Sequence, residues 1–257
     1  MPPPPIITLL TDFGAGSGYP AQMKGVILAS LPGATLVDLS HEVPRHDVLA
    51  GALLLEDCAP RFPARAVHLA VVDPGVGTAR RPMSLLDAAG RRFVGPDNGL
   101  FTPFLDGGRA RLVAAPEVVP GPVSATFHGR DVFAPVAAWL AGGGDFEALG
   151  PSIADPVRLE WPRAERRGSE IHGQCTTVDS FGNVITSIRD ADLRGEPFEV
   201  TVAGRRARVV LTYGDGRPGE LLALLGSSGR LEIAVCEGNA AQLLCFRRGT
   251  EVVARIS

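Results

Sequence analysis

The sequence has few cysteines, no long apolar run and no strong excess of either charge, and each shortage removes a class of protein. Cys58, Cys175, Cys236 and Cys245 show no CxxC spacing, so neither a disulfide framework nor a zinc site is written into them. They read as packing residues, kept as thiols in a reducing compartment. No stretch approaches the length needed to span a bilayer, and the opening MPPPP has neither the basic nor the apolar segment of a secretory signal. A cytoplasmic location is therefore expected. A formal net charge of -3 supplies no field to attract nucleic acid or an anionic membrane, and pairs such as Arg205-Arg206 read as solvated strand positions.

What is present is ordinary globular material. The 257 residues are 45% hydrophobic and 21% charged, enough for one large domain or two smaller ones. Residues 6–10 are a short β-branched run ending at Thr11-Asp12-Phe13 and the turn GAGSG, which reads as a buried strand. Pro20 sits where a helix can begin, and Met23, Val26, Ile27 and Leu31 recur at helical spacing before Pro32-Gly33. The logic repeats with a strand at 35–39, Asp47 as an N-cap, an apolar helix at 48–58 and a buried strand at 67–72. Phe93-Val94 followed by PDNG, and a helix from about 131 to 141, extend the same domain. Strand, turn, helix and strand in succession imply a mostly parallel sheet with helices on both faces, placing Asp12 and Asp73 at carboxyl ends of strands, the ligand edge of open α/β sheets.

From about 151 to 169 the pattern lapses into proline, arginine and glutamate, as a linker would. Beyond it short strands are expected at 171–178, 184–188, 198–202, 207–211, 231–235, 241–246 and 252–256, with turns at FGN, AGRR, YGDG and SSG. The expectation is an α/β domain over residues 1–160 and a small antiparallel β-barrel or sandwich over 170–257.

Chemistry concentrates in two segments, VVDPGVGTARR at 71–81 and TFHGRDVF at 126–133. Asp73 could bond its own backbone before Pro74, or orient a water while Arg80, seven residues on, keeps it ionised. Arg80 could equally cap a helix or cover apolar surface. Gly75 and Gly77 permit close backbone approach. His128 could be a buried histidine satisfied by carbonyls; at a helix start it would stay neutral and able to accept or relay a proton. Asp12 could cap a turn or accept the two hydroxyls of a ribose. GAGSG is G-x-G-x-G rather than G-x-G-x-x-G, which argues against a dinucleotide cradle. His41 and His46 lie near Glu42 and Asp47, but Pro44 breaks the helical register and Asp47 has a capping role, so no metal is expected.

These residues, together with TDFG at 11–14, MKG at 23–25, VDLSH at 37–41, PDNGLFT at 96–102, DSFGNVIT at 179–186, LEIAV at 231–235 and GNAA at 238–241, resemble the S-adenosylmethionine (SAM) hydroxide adenosyltransferases, or SAM hydrolases, relatives of the fluorinating and chlorinating SAM enzymes. The resemblance spans nearly the whole chain in order. It implies an α/β domain joined to a barrel, a homotrimer with sites formed between subunits, and a catalytic trio at Asp73, Arg80 and His128. It also implies ribose binding by Asp12, adenine contacts by Asn183 and the Ala240 backbone, a stacking aromatic at Tyr213, and the methionine end held by Asp179 and Ser227. Ser17 stands where the family usually has a carboxylate facing the methionine ammonium. Pro20-Ala21 replaces the usual valine-glycine, and Cys236 a common asparagine.

The reaction so implied is attack of water-derived hydroxide on the ribose 5' carbon of SAM, releasing adenosine and methionine without a cofactor or metal. Asp73 would aim the water, Arg80 stabilise developing hydroxide and His128 take or relay the proton. A sulfonium departs as a neutral thioether, so no general acid is needed. The halogenating relatives lack the Asp-Arg-His set. A halide-using SAM adenosyltransferase and a SAM or adenosine sensor without turnover are the alternatives.

Overall fold

Residues 7–11 and 67–71 are buried without interruption, the signature of strands covered on both faces. In the computed structural model, which describes residues 3–119 and 121–256, they are the central strands of the first of two units, Met1–Leu159 and Glu160–Ser257.

The first unit runs β1 (Ile6–Thr11), α1 (Tyr19–Ser30), β2 (Thr35–Ser40), α2 (Val48–Cys58), β3 (Val67–Val71), β4 (Pro82–Leu86), β5 (Arg92–Pro96), β6 (Arg109–Leu112), α3 (Ala134–Ala141) and β7 (Ser152–Ile153). The sheet order is β2-β1-β3-β5-β4-β6-β7. The first four strands are parallel, and the last three continue the sheet antiparallel. Ile7, Leu9, Leu69 and Val71 pack with Met23 and Ile27 of α1 and Val136 and Leu140 of α3. On the opposite face α2 comes so close that a Cβ on Gly51 would lie 3.0 Å from Val72 and 3.6 Å from Leu10. Helices thus cover both faces. Asp47 caps α2 through its side chain, which accepts from the Ala50 amide at 3.0 Å.

The second unit runs β8 (Glu165–Arg167), β9 (Glu170–Val178), β10 (Val184–Arg189), α4 (Asp190–Leu193), β11 (Phe198–Val202), β12 (Arg205–Val209), β13 (Leu221–Leu225), β14 (Arg230–Val235), α5 (Ala240–Leu243) and β15 (Glu251–Ile256). Pairing in the order β10-β14-β13-β12-β11-β15-β9 closes back on β10, giving a seven-stranded barrel with β8 added outside it. Ile171, Val184, Val200, Val252 and Leu231 fill its interior.

Three expectations change. The barrel is mixed, because β12 and β13 are parallel; residues 210–220 cross over between them instead of forming a hairpin. The strand expected at 241–246 is instead α5, because the Asn239 side chain accepts from the Gln242 amide at 2.8 Å and starts a helical turn. The stretch read as a linker contains β7 and β8, and its middle is tied down: Asp97 accepts from the Val157 amide at 2.8 Å and Thr102 from the Leu159 amide at 2.9 Å. Side chains elsewhere in the fold satisfy this backbone, so it needs no periodicity of its own. Cys175 is buried, whereas Cys245 is exposed. No helix among the described residues is long and apolar enough to cross a membrane.

Candidate active site

The loop after β3 is folded by its own short bonds. The Val76 amide donates to Asp73 O at 3.3 Å, the Thr78 amide to Gly75 O at 3.1 Å, and the Thr78 hydroxyl to the same carbonyl at 2.7 Å. Gly77 has φ +77°, and a Cβ there would stand 2.5 Å from the Ala125 carbonyl oxygen. Only glycine allows both the left-handed backbone and this approach. The contact presses the 73–81 loop against the segment carrying His128, which is how residues 48 positions apart come to bond.

Arg80 is the centre. Its Nε donates to Asp73 Oδ1 at 3.1 Å, one Nη2 proton goes to Asp73 Oδ2, and Nη2 lies 3.1 Å from His128 Nδ1. Its guanidinium carbon sits 5.3 Å over the Phe133 ring. The Arg80 and Asp73 side chains are 7% and 4% exposed. Nη1 is buried and makes no hydrogen bond among the described residues, leaving one charged donor for an oxygen from elsewhere. Arginine cannot accept a hydrogen bond, so His128 Nδ1 must offer its lone pair and the ring proton resides on Nε2. Burial, then the Arg80 charge, holds the His128 pKa below its ordinary value, against the pull of Asp73 and Asp131. The ring is neutral at physiological pH. The cause is burial and the neighbouring guanidinium, where the sequence pointed to a helix start.

Asp12, Asp73 and His128 line one cavity of about 310 Å³, with Phe13, Tyr19, Arg45, His46, Val76 and Phe127 among its walls. Asp12 accepts the His46 amide at 2.9 Å, so it holds a left-handed turn (His46 φ 63°) as well as facing this space. Sequence reasoning missed Phe13, Tyr19, Arg45 and His46 as cavity residues. Phe13 and Tyr19 flank the noticed GAGSG turn, but only the fold shows that they share a wall. His41, considered as a metal ligand, bonds Thr11 Oγ1 through Nδ1 at 2.9 Å and reaches Asp38 through Nε2 at 3.1 Å.

The remaining candidates lie on the barrel. Asp179 accepts from the Phe181 and Asn183 amides at 2.9 Å each and from Asn183 Nδ2 at 3.0 Å, which fixes the turn between β9 and β10. Gly182 abuts Asn239, and the Ala241 amide donates to Gly182 O at 2.9 Å, so the buried Ala240 stands beside that turn. Tyr213, in the crossover, donates to the buried Glu232 at 2.7 Å. Burial, Glu232 and Asp179 together raise its pKa, so it stays a phenol. Ser227 is exposed in the β13–β14 turn, next to Gly226, which packs on the same Glu232 carboxylate.

An α/β unit that bonds an acid, a fixed cation and a neutral imidazole to one another, together with a mixed barrel, defines a class of two-part enzyme. Residues 7–150 match the SAM hydroxide adenosyltransferase N-terminal domain and residues 173–253 the C-terminal domain. The chain belongs to the SAM hydroxide adenosyltransferase family. It is 43% identical over 257 residues to the (R)-S-adenosyl-L-methionine hydrolase of Thermus thermophilus, covering 96% of this chain and 98% of that one. A fluorinase from Nocardia brasiliensis is 32% identical over 93% of this chain and 92% of its own. A crystal structure of an uncharacterized conserved protein from Thermotoga maritima superposes with a TM-score of 0.91 at 35% identity, covering 97% of this chain and 99% of that one.

Proposed function

We propose that this protein hydrolyses S-adenosyl-L-methionine, with preference for the (R) sulfonium epimer named for its relatives, to adenosine and L-methionine by attack of water at the ribose 5' carbon. The observation that carries this reading is the bonded Asp73-Arg80-His128 set at the wall of a cavity that Asp12 also lines.

Asp73 accepts a hydrogen bond from the water and takes its proton as the C5'–O bond forms and the C5'–S bond breaks, the sulfur leaving with the electron pair as a neutral thioether. Arg80 fixes the carboxylate through two bonds, and its unpaired Nη1 is a donor for the oxygen that becomes hydroxide-like. His128 has its lone pair on Nδ1 engaged by Arg80. Its contribution is therefore the Nε2 proton, donated to the water oxygen to aim it, and not a proton relay. Attacking hydroxide and sulfonium cancel charge as they approach, so a dry cavity favours the step.

In this reading Asp12 binds the ribose hydroxyls. Asn183 and the Ala240 backbone contact adenine, Tyr213 stacks, and Asp179 and Ser227 hold the methionine end. These barrel residues complete the cavity of a neighbouring subunit in a homotrimer. Two things support that assembly: the family resemblance, and a cavity at the small end of the roughly 300–1,000 Å³ typical of ligand pockets. The reaction uses no cofactor or metal, and the enzyme works in the cytoplasm.

The deciding experiment is chromatography of the products from purified protein and SAM in 18O-labelled water, with and without chloride. Adenosine and methionine should appear in equal amounts, with the label on adenosine and no chloride dependence. A 5'-halo-adenosine would favour the halide-using alternative. Unlabelled adenosine, or binding without release, would refute the mechanism.

A further inference from the structure

Three aromatic rings share the cavity with Asp73 and His128 and have no part in the mechanism above. Phe13, Tyr19 and Phe127 stand mutually edge to face, with centroids 5.9, 5.9 and 5.2 Å apart and interplanar angles of 68°, 73° and 81°. Rings at near right angles form the walls of a box, the arrangement that holds alkylated cations elsewhere. All three line the cavity. A Cβ on Gly129 would lie 3.3 Å from the Phe127 ring and 3.4 Å from the Phe13 ring, so the rings rest on the backbone one residue from His128. Tyr19 is 53% exposed, so its ring is open to a ligand from outside.

A sulfonium ion donates no strong hydrogen bond and accepts none, so it is recognised by negative potential. The carboxylates on this cavity wall are engaged: Asp73 is held by Arg80 and Asp12 by the His46 amide. Arg130 already lies 4.9 Å over Phe127, which leaves Tyr19 and Phe13 as the rings free to meet an external cation. Given hydrolysis of SAM as proposed above, we infer that the Phe13-Tyr19-Phe127 box seats the sulfonium methyl group and sets the preference for a charged sulfur and for its configuration. Inverting the sulfur moves the methyl group out of the box. The positive charge disappears as methionine leaves, so the rings attract the ground state more than the transition state. Their loss therefore shows in KM.

The test is Tyr19→Leu in the full-length protein, with Tyr19→Phe and Phe13→Leu beside it. Tyr19→Leu should raise KM for SAM about 5- to 10-fold, within the range cation–π contacts span, with kcat unchanged or raised and never lowered, as loss of mainly ground-state binding requires. The Ki of S-adenosyl-L-homocysteine, which lacks the methyl group and the charge, should move by less than about twofold. The ratio of kcat/KM for the two sulfonium epimers should fall towards one. Phe13→Leu should act in the same direction, and Tyr19→Phe should keep the wild-type KM because it keeps the ring. Equal weakening of SAM and S-adenosyl-L-homocysteine, a fall in kcat at unchanged KM, or no effect in either leucine variant would overturn the inference. If the wild type releases no adenosine, the hydrolysis reading fails. Calorimetric binding of SAM and S-adenosyl-L-homocysteine then still reads the box, which is overturned if Tyr19→Leu weakens both alike.

Discussion

Asp73→Asn separates chemistry from stability when it is combined with Arg80→Met. The two wild-type side chains are 4% and 7% exposed and joined by two charge-assisted bonds. Removing one partner leaves the other charge buried and uncompensated, which costs about 3–5 kcal/mol. Asp73→Asn and Arg80→Met should each destabilise by about that amount. The double variant removes both charges and leaves a thioether packed against Phe133, so its loss should fall short of the sum of the singles by about 1–3 kcal/mol. Activity should behave differently. Asp73→Asn removes the group that aims the water and takes its proton, so adenosine release should fall about a hundredfold or more. The double variant loses less stability than the two singles summed and regains no activity. Urea denaturation and chromatographic turnover on the same preparations measure both quantities. Strictly additive stability losses would refute the coupled buried pair. An Asp73→Asn enzyme retaining more than about a tenth of wild-type turnover would refute the role of Asp73.

Gly77→Ala should destabilise the protein by about 1–3 kcal/mol, since it places a Cβ against the Ala125 carbonyl at a left-handed φ. It should also lower turnover by parting Arg80 from His128; normal activity would show that this loop contact does not position the trio. His68, fully buried between Thr8 and Phe93, has a pKa lowered from 6.5 to about 4, by burial first and the Arg91 charge second. The unfolded chain binds a proton there before the folded one does. The stability that depends on a neutral His68 is therefore complete above pH 6.5 and lost as pH falls towards 4. The span of about 2.5 pH units corresponds to about 3 kcal/mol. Urea midpoints of wild type and His68→Phe should thus converge, or cross, between pH 7 and pH 4.5; a constant difference would exclude the effect.

Much of the scaffold was legible because it is local. The apolar runs at β1 and β3, Pro20 inside the first turn of α1 and Asp47 ahead of α2 act within a few residues, and the structure places these elements where those signals fall. The failures share a cause. LLALL, which forms β13, is a continuous apolar run without alternation, and periodicity cannot distinguish a buried strand from a piece of helix there. AAQL, read as part of a strand, became α5 because the Asn239 side chain captured an amide. The parallel pairing of β12 with β13 depends on a crossover whose path no local rule fixes.

The sequence by itself determined which chemical groups this protein carries, and their order along the chain identified its family. Bond partners were decided by the tertiary structure. Gly77 seated against Ala125 brings Arg80 to His128, and the Arg80 bond to Nδ1 then leaves the ring proton of His128 on Nε2. The Tyr19 ring meets Phe13 and Phe127 only once α1 and the segment before α3 lie at the same edge of the sheet. Propensity and capping act over a turn of chain, whereas a hydrogen bond or ring contact needs atoms within a few ångströms. For residues dozens of positions apart, only the packed fold supplies that proximity.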